Sequence, residues 1–291
     1  MKFKKRINKS LDKNYYNLAD LPLIDCIDFH NQLKDGLFGE FKDQALQLHT
    51  KGFCTFEVKN KNWLEIIDKL RDELSESQEF KKTLKNKISL RFQDAWLHKK
   101  SALVKKLATE KSILKFLSTL YGRKPFPFQT LNFPYGSKQH FHSDAVHFHS
   151  IPEGFMCGVW IALEDVHEDA GPLIYYPESH RLPYISSKTM GITLEEINNC
   201  SNPQKYFERY WIDIVKENGF KKEKFLAKKG DLLLWHANLL HGGDIIKNKN
   251  LTRWSQVTHY FFENCGFMTP FFNTIDKNQR KWRNPLNLLN E

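Results

Sequence analysis

The first part of the chain repeats apolar residues with the 3.6-residue period of amphipathic helices. The clearest case is Trp63–Leu74, whose aliphatic side chains share one face while charged residues cover the other. A second helix is predicted over Leu103–Leu120, and a short strand over Gly52–Glu57 follows a glycine. Residues 1–20 form a polar lead-in, so residues 1–125 are predicted to be mostly helical.

Beyond residue 125 the pattern changes to short runs of β-branched and aromatic residues, separated by turns rich in glycine, proline and aspartate. Six strands are predicted, at residues 128–133, 139–148, 155–163, 172–177, 231–235 and 252–262. Many short strands are typical of a sandwich or jelly roll. The predicted fold class is therefore α+β with a mainly β core, a jelly roll with N-terminal helices packed on it.

The length of 291 residues lies near the upper limit for one hydrophobic core, and no linker or repeat divides the chain. We predict a single domain over residues 1–291. Residues 1–125 are expected to support the core, residues 126–265 to form it, and residues 266–291 to be a C-terminal tail.

A polar insertion with helical texture, residues 182–229, interrupts the predicted core. A connection this long inside a compact domain is often a lid or a binding element. We expect it to pack over an open end of the jelly roll and to influence substrate choice. The alternative is a helical support on the outside of the barrel.

Charge and cysteine content narrow the setting. The net charge of +10 weakly favours an anionic small-molecule substrate. The five cysteines are odd in number and widely spaced, so no disulfide framework is expected and a reducing compartment fits. No apolar run has the length of a membrane span, and the basic N-terminus lacks the apolar stretch of a secretory signal. We expect a cytoplasmic protein with no nucleic-acid partner. The sequence does not indicate an oligomeric state.

Histidines carry the strongest chemical signal, because four of the twelve fall between His140 and His149. On an extended strand His142 and Asp144 would project from the same face. Together with a histidine from the later segment GDLLLWHANLLHGG, either His241 or His236, they would make two imidazoles and one carboxylate. That set, with open positions left over, is the facial triad of non-haem Fe(II) oxygenases.

Arg253 adds a second feature. It lies 12 residues after His241 and would share a strand face with Ser255, Val257 and His259. A guanidinium that points into a barrel is costly unless it meets a carboxylate. Arg253 and Ser255 would suit the distal carboxylate of a dicarboxylic acid, whereas the alternative is an ordinary surface arginine.

The segments QHFHSD, GVWIALEDVHEDAGPLIYYPESHR, KKGDLLLWHANLLHGG and TRWSQ occur in this order. With them the chain resembles the phytanoyl-CoA dioxygenase-like family of Fe(II)/2-oxoglutarate oxygenases. The resemblance implies a double-stranded β-helix, with metal ligation by His142, Asp144 and His241 and 2-oxoglutarate binding by Arg253. It also implies helper polar residues at Ser255 and at Gln129 or Asn132.

The resemblance further implies Fe(II), 2-oxoglutarate and O₂ as cofactor and co-substrates, with succinate and CO₂ as products. Halogenating relatives have Ala or Gly in place of the carboxylate, so the presence of Asp144 favours hydroxylation.

Two other classes stay open: a cupin-like metal-dependent isomerase or epimerase, and a non-catalytic binding module for anionic glycan or nucleic acid. His147 and His149 could form a cupin-like pair, His140 and His236 could support ligands, and His180 could cap a turn. Trp160 is expected either in the core or stacked on a ligand.

Overall fold

The structure is a computed structural model that describes residues 21–277 and 279–291. The predicted polar lead-in, residues 1–20, lies outside the described residues. The helices are α1 (Phe29–Lys34), α2 (Lys42–Lys51), α3 (Trp63–Glu76), α4 (Gln78–Asn86), α5 (Ala95–His98), α6 (Ala102–Ala108), α7 (Lys111–Tyr121), α8 (Leu194–Asn199) and α9 (Lys205–Glu217). The strands are β1 (Phe53–Phe56), β2 (Phe92–Gln93), β3 (Pro125–Phe133), β4 (His149–Ile151), β5 (Met156–Ala162), β6 (Leu173–Tyr175), β7 (Glu223–Phe225), β8 (Leu232–His236), β9 (His241–Gly243), β10 (Ser255–Phe262), β11 (Gly266–Met268) and β12 (Trp282–Arg283).

The largest sheet has six antiparallel strands in the order β1-β8-β5-β10-β3-β2. Its strand β5 is buried along its whole length. Val159 and Ile161 pack into the cluster that contains the N-terminal helices, whereas Trp160 and Ala162 pack into the interior cluster. Because both faces are covered, β5 appears in the sequence as a continuous apolar run rather than an alternating one.

A smaller antiparallel sheet, β7-β6-β9, lies across the interior from the large sheet. Leu173 and Tyr175 of β6 share one apolar cluster with Leu233 of β8 and Val257 of β10. The two facing sheets make the double-stranded β-helix, so the predicted fold class is confirmed.

The N-terminal helices cover the outer face of the large sheet. The predicted helix at residues 63–74 is confirmed as α3, and α6 is tied to β10 by two hydrogen bonds. The Tyr260 hydroxyl donates to the Ala108 carbonyl at 2.8 Å, and Gln256 Nε2 donates to the Val104 carbonyl at 3.1 Å. These contacts seal the helix side of the sheet and leave the site to the opposite face.

The prediction of one helix over residues 103–120 is wrong, because α6 and α7 are separated at Thr109 and Glu110. The Glu110 carboxylate accepts from the Ser112 backbone N–H at 3.3 Å and so caps the start of α7. Such a side-chain cap satisfies backbone donors that a continuous helix would pair internally.

The prediction of a strand over residues 139–148 is also wrong. In this segment only His142 pairs in a β-bridge, with His241. A 3₁₀ turn then spans Asp144–Val146, where the Asp144 carbonyl accepts from the backbone of His147 and Phe148. The alternating histidines imitate a strand, but the turn redirects the backbone toward β4.

The C-terminal residues are more than the expected tail. Strands β11 and β12 form a third sheet with β4, in the order β12-β11-β4. This sheet places Thr269 and Arg283 in the wall of the central cavity. Among the helices of residues 21–277 and 279–291, none is long and apolar enough to cross a membrane.

Candidate metal centre

His142, Asp144 and His241 form one buried cluster, although they are far apart in sequence. The backbone N–H of His142 donates to the His241 carbonyl at 2.9 Å, and the reverse bond is 3.0 Å long. His142 Nε2 lies 3.4 Å from Asp144 Oδ1, and His241 Nε2 lies 3.6 Å from Asp144 Oδ2. One donor atom from each residue lies within 4.8 Å of the others, so the three could hold one metal ion.

The backbone fixes which nitrogen of each imidazole faces the cluster. His142 Nδ1 lies 2.9 Å from the His140 carbonyl, and His241 Nδ1 lies 2.9 Å from the Leu239 carbonyl. A carbonyl can only accept, so each Nδ1 carries the proton and donates it. Both Nε2 atoms therefore keep a free lone pair, which is the form of histidine that ligates a metal.

Asp144 is oriented by Trp235. The indole Nε1–H donates to Asp144 Oδ2 at 2.9 Å, and the indole ring lies 4.4 Å from the His241 ring. Gly158 on the neighbouring strand makes room for the indole, because a Cβ there would lie 2.2 Å from two of its ring carbons. The glycine is therefore required by a close approach beside the metal cluster.

We expect Gly158→Ala to displace Trp235 and release Asp144. Overpacking of this kind costs about 1–3 kcal/mol of unfolding free energy. Loss of the indole hydrogen bond should also weaken metal binding, because such bonds hold ligands in place. Denaturant unfolding and metal titration measure the two effects.

The matched control is Val159→Ala, which lies on the helix-facing side of the same strand. It should lower stability through lost packing and leave the metal affinity unchanged. Equal metal affinity in both variants would contradict the role given to Trp235.

The electrostatics of the cluster suit a cation. Burial raises the pKa of the Asp144 carboxyl, but His241, His259 and a hydrogen bond from His142 outweigh it, and the pKa is held well below its usual range. Burial is the main cause that lowers the pKa of His241 to about 4. At neutral pH the cluster therefore presents an ionised carboxylate and a neutral imidazole.

These donors fit a divalent metal such as Fe(II). Two imidazole nitrogens and one carboxylate on one side of the ion leave the opposite positions open to a co-substrate and O₂. A structural zinc site would be closed by a fourth protein ligand, and the group of converging donors found in the described residues has three.

A cavity of about 390 Å³ opens from this cluster and also reaches Arg253. Arg253 is only 2% exposed, so it is not the surface arginine that was the alternative. Its Nη1 donates to Ser255 Oγ at 2.9 Å, while its Nε is buried without a hydrogen-bond partner. The guanidinium lies 5.8 Å from the Phe133 ring and 5.6 Å from the Trp160 ring.

Burial lowers the pKa of Arg253 to about 10, which still leaves the guanidinium charged at neutral pH. No carboxylate within residues 21–277 and 279–291 forms a salt bridge with it. A buried charge without a partner is costly, so the geometry favours an anionic ligand at this end of the cavity.

The sequence profile of the phytanoyl-CoA dioxygenase family matches residues 39–253. The chain belongs to this family. Its members are Fe(II)- and 2-oxoglutarate-dependent oxygenases, which confirms the resemblance seen in the ordered motifs. A search of curated protein sequences finds no significant match.

Solved structures of similar fold include three enzymes of this chemistry. The epimerase SnoN, in complex with Fe³⁺, α-ketoglutarate and nogalamycin RO, is 18% identical with a TM-score of 0.57, over 85% of this chain and 93% of SnoN. The carbocyclase SnoK from nogalamycin biosynthesis is 13% identical with a TM-score of 0.58, over 86% and 95%. EctD from S. alaskensis with 2-oxoglutarate and 5-hydroxyectoine is 15% identical with a TM-score of 0.57, over 81% and 80%. At these identities the likeness shows the fold.

The two candidates for a helper residue on β3 point in opposite directions. Gln129 lines the cavity, and its Oε1 lies 3.1 Å from His259 Nδ1. Asn132 is buried on the other face, where its Nδ2 donates to Gln256 Oε1 at 3.2 Å. Asn132 therefore does not face the cavity, and Gln129 is the one placed to meet a ligand.

His259 is an addition to the predicted site. Its Nε2 lies 3.4 Å from Asp144 Oδ2, and its ring lines the cavity. The strand periodicity already placed His259 on the same face as Arg253, but its position was not linked to Asp144. It lies behind the carboxylate, where it can help to hold Asp144.

The remaining histidines occupy supporting positions. His236 pairs with Asp25 at 3.2 Å and does not join the metal cluster. His149 lies 3.5 Å from Glu153 Oε1, and His147 lines the cavity without a converging third ligand in the described residues. His180, in a 3₁₀ turn, lies 3.1 Å from the carbonyl of His49. The His140 carbonyl is the acceptor for His142.

The insertion, residues 182–229, lies partly beside the cavity. Gln204, just before α9, lines it, and the Trp211 ring lies 6.4 Å from the His142 ring. Its last part supplies β7, which pairs with β6 in the small sheet. The segment therefore contributes both to the barrel and to the region in front of the metal cluster.

Proposed function

We propose that this member of the family hydroxylates a small organic substrate, with 2-oxoglutarate and O₂ as co-substrates. His142, Asp144 and His241 would hold Fe(II), and Arg253 with Ser255 would anchor the distal carboxylate of 2-oxoglutarate. The observation that carries the proposal is one cavity that joins the three converging donors to a buried, unpaired arginine.

The metal and the co-substrates, once bound, supply an oxidant that breaks a C–H bond while 2-oxoglutarate is converted to succinate and CO₂. The chain supplies orientation. The carbonyls behind His142 and His241 hold both Nε2 atoms toward one point, and Trp235 holds the carboxylate. The phenylalanine and tryptophan rings beside Arg253 keep water away and strengthen its charge interaction.

Hydroxylation is favoured because Asp144 occupies the carboxylate position that halogenating relatives lack. Arg253 argues against a cupin-like isomerase that works without 2-oxoglutarate, since such an enzyme has no use for an anion anchor. The similar structures of an epimerase and a carbocyclase make product analysis necessary.

The test has two stages. Anaerobic addition of Fe(II) and 2-oxoglutarate should produce a visible charge-transfer band, which reports chelation of the keto acid at the iron. Candidate small molecules are then screened for faster succinate release in air, and products of the hits are analysed after reaction with ¹⁸O₂. One ¹⁸O atom in the product supports hydroxylation; a product that lacks it while succinate forms would contradict hydroxylation and indicate epimerisation or cyclisation. Absence of the charge-transfer band would contradict the proposal as a whole.

We further propose that the protein works in a reducing compartment such as the cytoplasm. Its five cysteines are all free thiols, three of them only partly buried, and no disulfide contributes to the fold.

We also propose that α8 and α9 act as a lid. Trp211 and Gln204 lie close to the metal cluster and the cavity, so a bound substrate would contact this segment. Amide hydrogen exchange in residues 194–217 should therefore slow when a substrate found in the screen is added to protein loaded with Mn(II) and 2-oxoglutarate.

The internal control is α3, which packs on the outer side of the large sheet and should exchange equally in both states. Equal protection of residues 194–217 with and without substrate would rule out the lid and leave the oxygenase proposal intact.

A further inference from the structure

A second unpaired arginine lies in the cavity wall, away from Arg253. Arg283 comes from β12, and its guanidinium is half-buried over the Phe148 ring, 4.8 Å from the ring centre. Its Nη1 donates to Thr269 Oγ1 at 3.0 Å and to the His147 carbonyl at 3.4 Å. These contacts hold the guanidinium in place but use only part of its five N–H donors.

Arg283 has no carboxylate partner among residues 21–277 and 279–291. By contrast, Lys222 and Lys224, which are also partly exposed, both pair with Asp244. A half-buried guanidinium loses hydration, and burial lowers the pKa of Arg283 accordingly. A fixed arginine with free donors suits the two-pronged recognition of a carboxylate or phosphate.

The charges of the cavity point the same way. Its lining contains one carboxylate, Asp144, against the three arginines Arg91, Arg253 and Arg283. In the proposed complex the two negative charges of 2-oxoglutarate and that of Asp144 are matched by the divalent metal and Arg253. The charges of Arg91 and Arg283 then remain for the substrate.

The neighbours of Arg283 are hydrogen-bond donors rather than acids. The Thr269 hydroxyl accepts from Arg283 and so keeps its own proton for another acceptor. Gln204 approaches His147, and burial lowers the pKa of His147 to about 4, so this ring is neutral at physiological pH. Nothing among these side chains would repel an oxyanion.

We propose that Arg283, with Thr269 and Gln204, forms a subsite for a carboxylate or phosphate group of the substrate. This rests on the proposed function and specifies its substrate class: a small molecule that carries an oxyanion on the part held away from the iron. Arg283 and Thr269 lie beyond residues 39–253, the part that matches the family profile, so the subsite is a feature of this chain's C-terminal strands. The cavity volume of about 390 Å³ is at the lower end for small-molecule sites, which favours a compact substrate.

The test uses full-length protein loaded with Mn(II) and saturated with 2-oxoglutarate under anaerobic conditions. Calorimetric titration with hexanoate, hexyl phosphate and the neutral hexanamide compares the two oxyanions with an uncharged analogue of similar shape. We expect one of the two anions to bind at least about tenfold more tightly than hexanamide, and Arg283→Gln to remove that preference. Which anion is preferred identifies the substrate group as carboxylate or phosphate.

Arg280→Gln is the matched control, because Arg280 is exposed on the same segment and does not line the cavity. It removes the same charge and should leave the anion preference intact. Equal loss in both variants, or no anion preference in the wild-type protein, overturns the subsite. If Arg283→Gln does not fold, Arg283→Lys is used; it keeps the charge without the fork and should bind the preferred anion less tightly, and unchanged affinity would overturn the subsite.

Affinity for 2-oxoglutarate is measured in the same preparations. Normal 2-oxoglutarate binding without an anion preference refutes the subsite alone. Failure of 2-oxoglutarate to bind refutes the proposed function, and the comparison of the two arginine variants, repeated with Mn(II) alone, still decides the subsite.

Discussion

Replacing His241 by alanine is expected to abolish Fe(II) binding and turnover. The variant removes one of three converging donors and leaves His142 and Asp144, which cannot define one side of the ion. Loss of a group that merely supports a metal ligand typically costs about 10–100-fold in affinity, so loss of the ligand itself should exceed 100-fold. Metal titration and succinate release measure the effect.

The fold should survive this change. The contacts that tie His241 to His142 are backbone hydrogen bonds, and alanine preserves them. Circular dichroism and denaturant unfolding should therefore show an intact β-helix with a modest loss of stability from the removed ring. An unfolded variant would make the comparison of metal affinities uninformative, and His241→Asn, which retains more of the volume, is the replacement in that case.

His236→Ala is the matched control. His236 belongs to the same short segment and is equally buried, but it pairs with Asp25 instead of Asp144. Its removal should cost stability and leave metal affinity unchanged. If His236→Ala lost the metal and His241→Ala kept it, the assignment of the third ligand would be reversed.

The meeting of His142 and Asp144 could be predicted from their spacing, although the strand that was assumed to carry them is absent. Only a short extended stretch is needed to place two residues on one side. Ser143 between them has the extended angles φ −100° and ψ 128°, and His142 forms a single β-bridge. The 3₁₀ turn that begins at Asp144 depends on backbone contacts with distant residues, such as Ala145 N–H to the Ala237 carbonyl, which local periodicity does not reveal.

Arg283 could not be predicted. Its strand, β12, has two residues, too few to show a period of two, and its position depends on pairing with β11 and through it with β4. Arg253 was accessible to prediction because an eight-residue strand follows it and fixes its face together with Val257 and His259. Long regular elements reveal their faces in sequence, whereas the residues that close the cavity come from short irregular segments.

Replacing Arg253 by leucine is expected to raise the concentration of 2-oxoglutarate required for turnover at least tenfold, with little change in Fe(II) affinity. A charge-assisted hydrogen bond contributes about 1.5–3 kcal/mol, and Arg253 is the buried cation placed to make it at this end of the cavity. The separate effects are measured by titrating 2-oxoglutarate at saturating iron and iron at saturating 2-oxoglutarate.

The stability of the unliganded Arg253→Leu protein provides an independent readout. Arg253 carries a buried charge whose hydrogen-bond partner is the neutral Ser255, and a buried Nε without a partner. Replacing such a group by an apolar side chain should leave the free energy of unfolding unchanged or raise it. A purely structural arginine predicts the opposite, a less stable protein with unaltered 2-oxoglutarate dependence. Arg253→Lys, which keeps the charge and loses the fork, should fall between wild type and leucine in 2-oxoglutarate affinity, because the anchor depends on both charge and geometry.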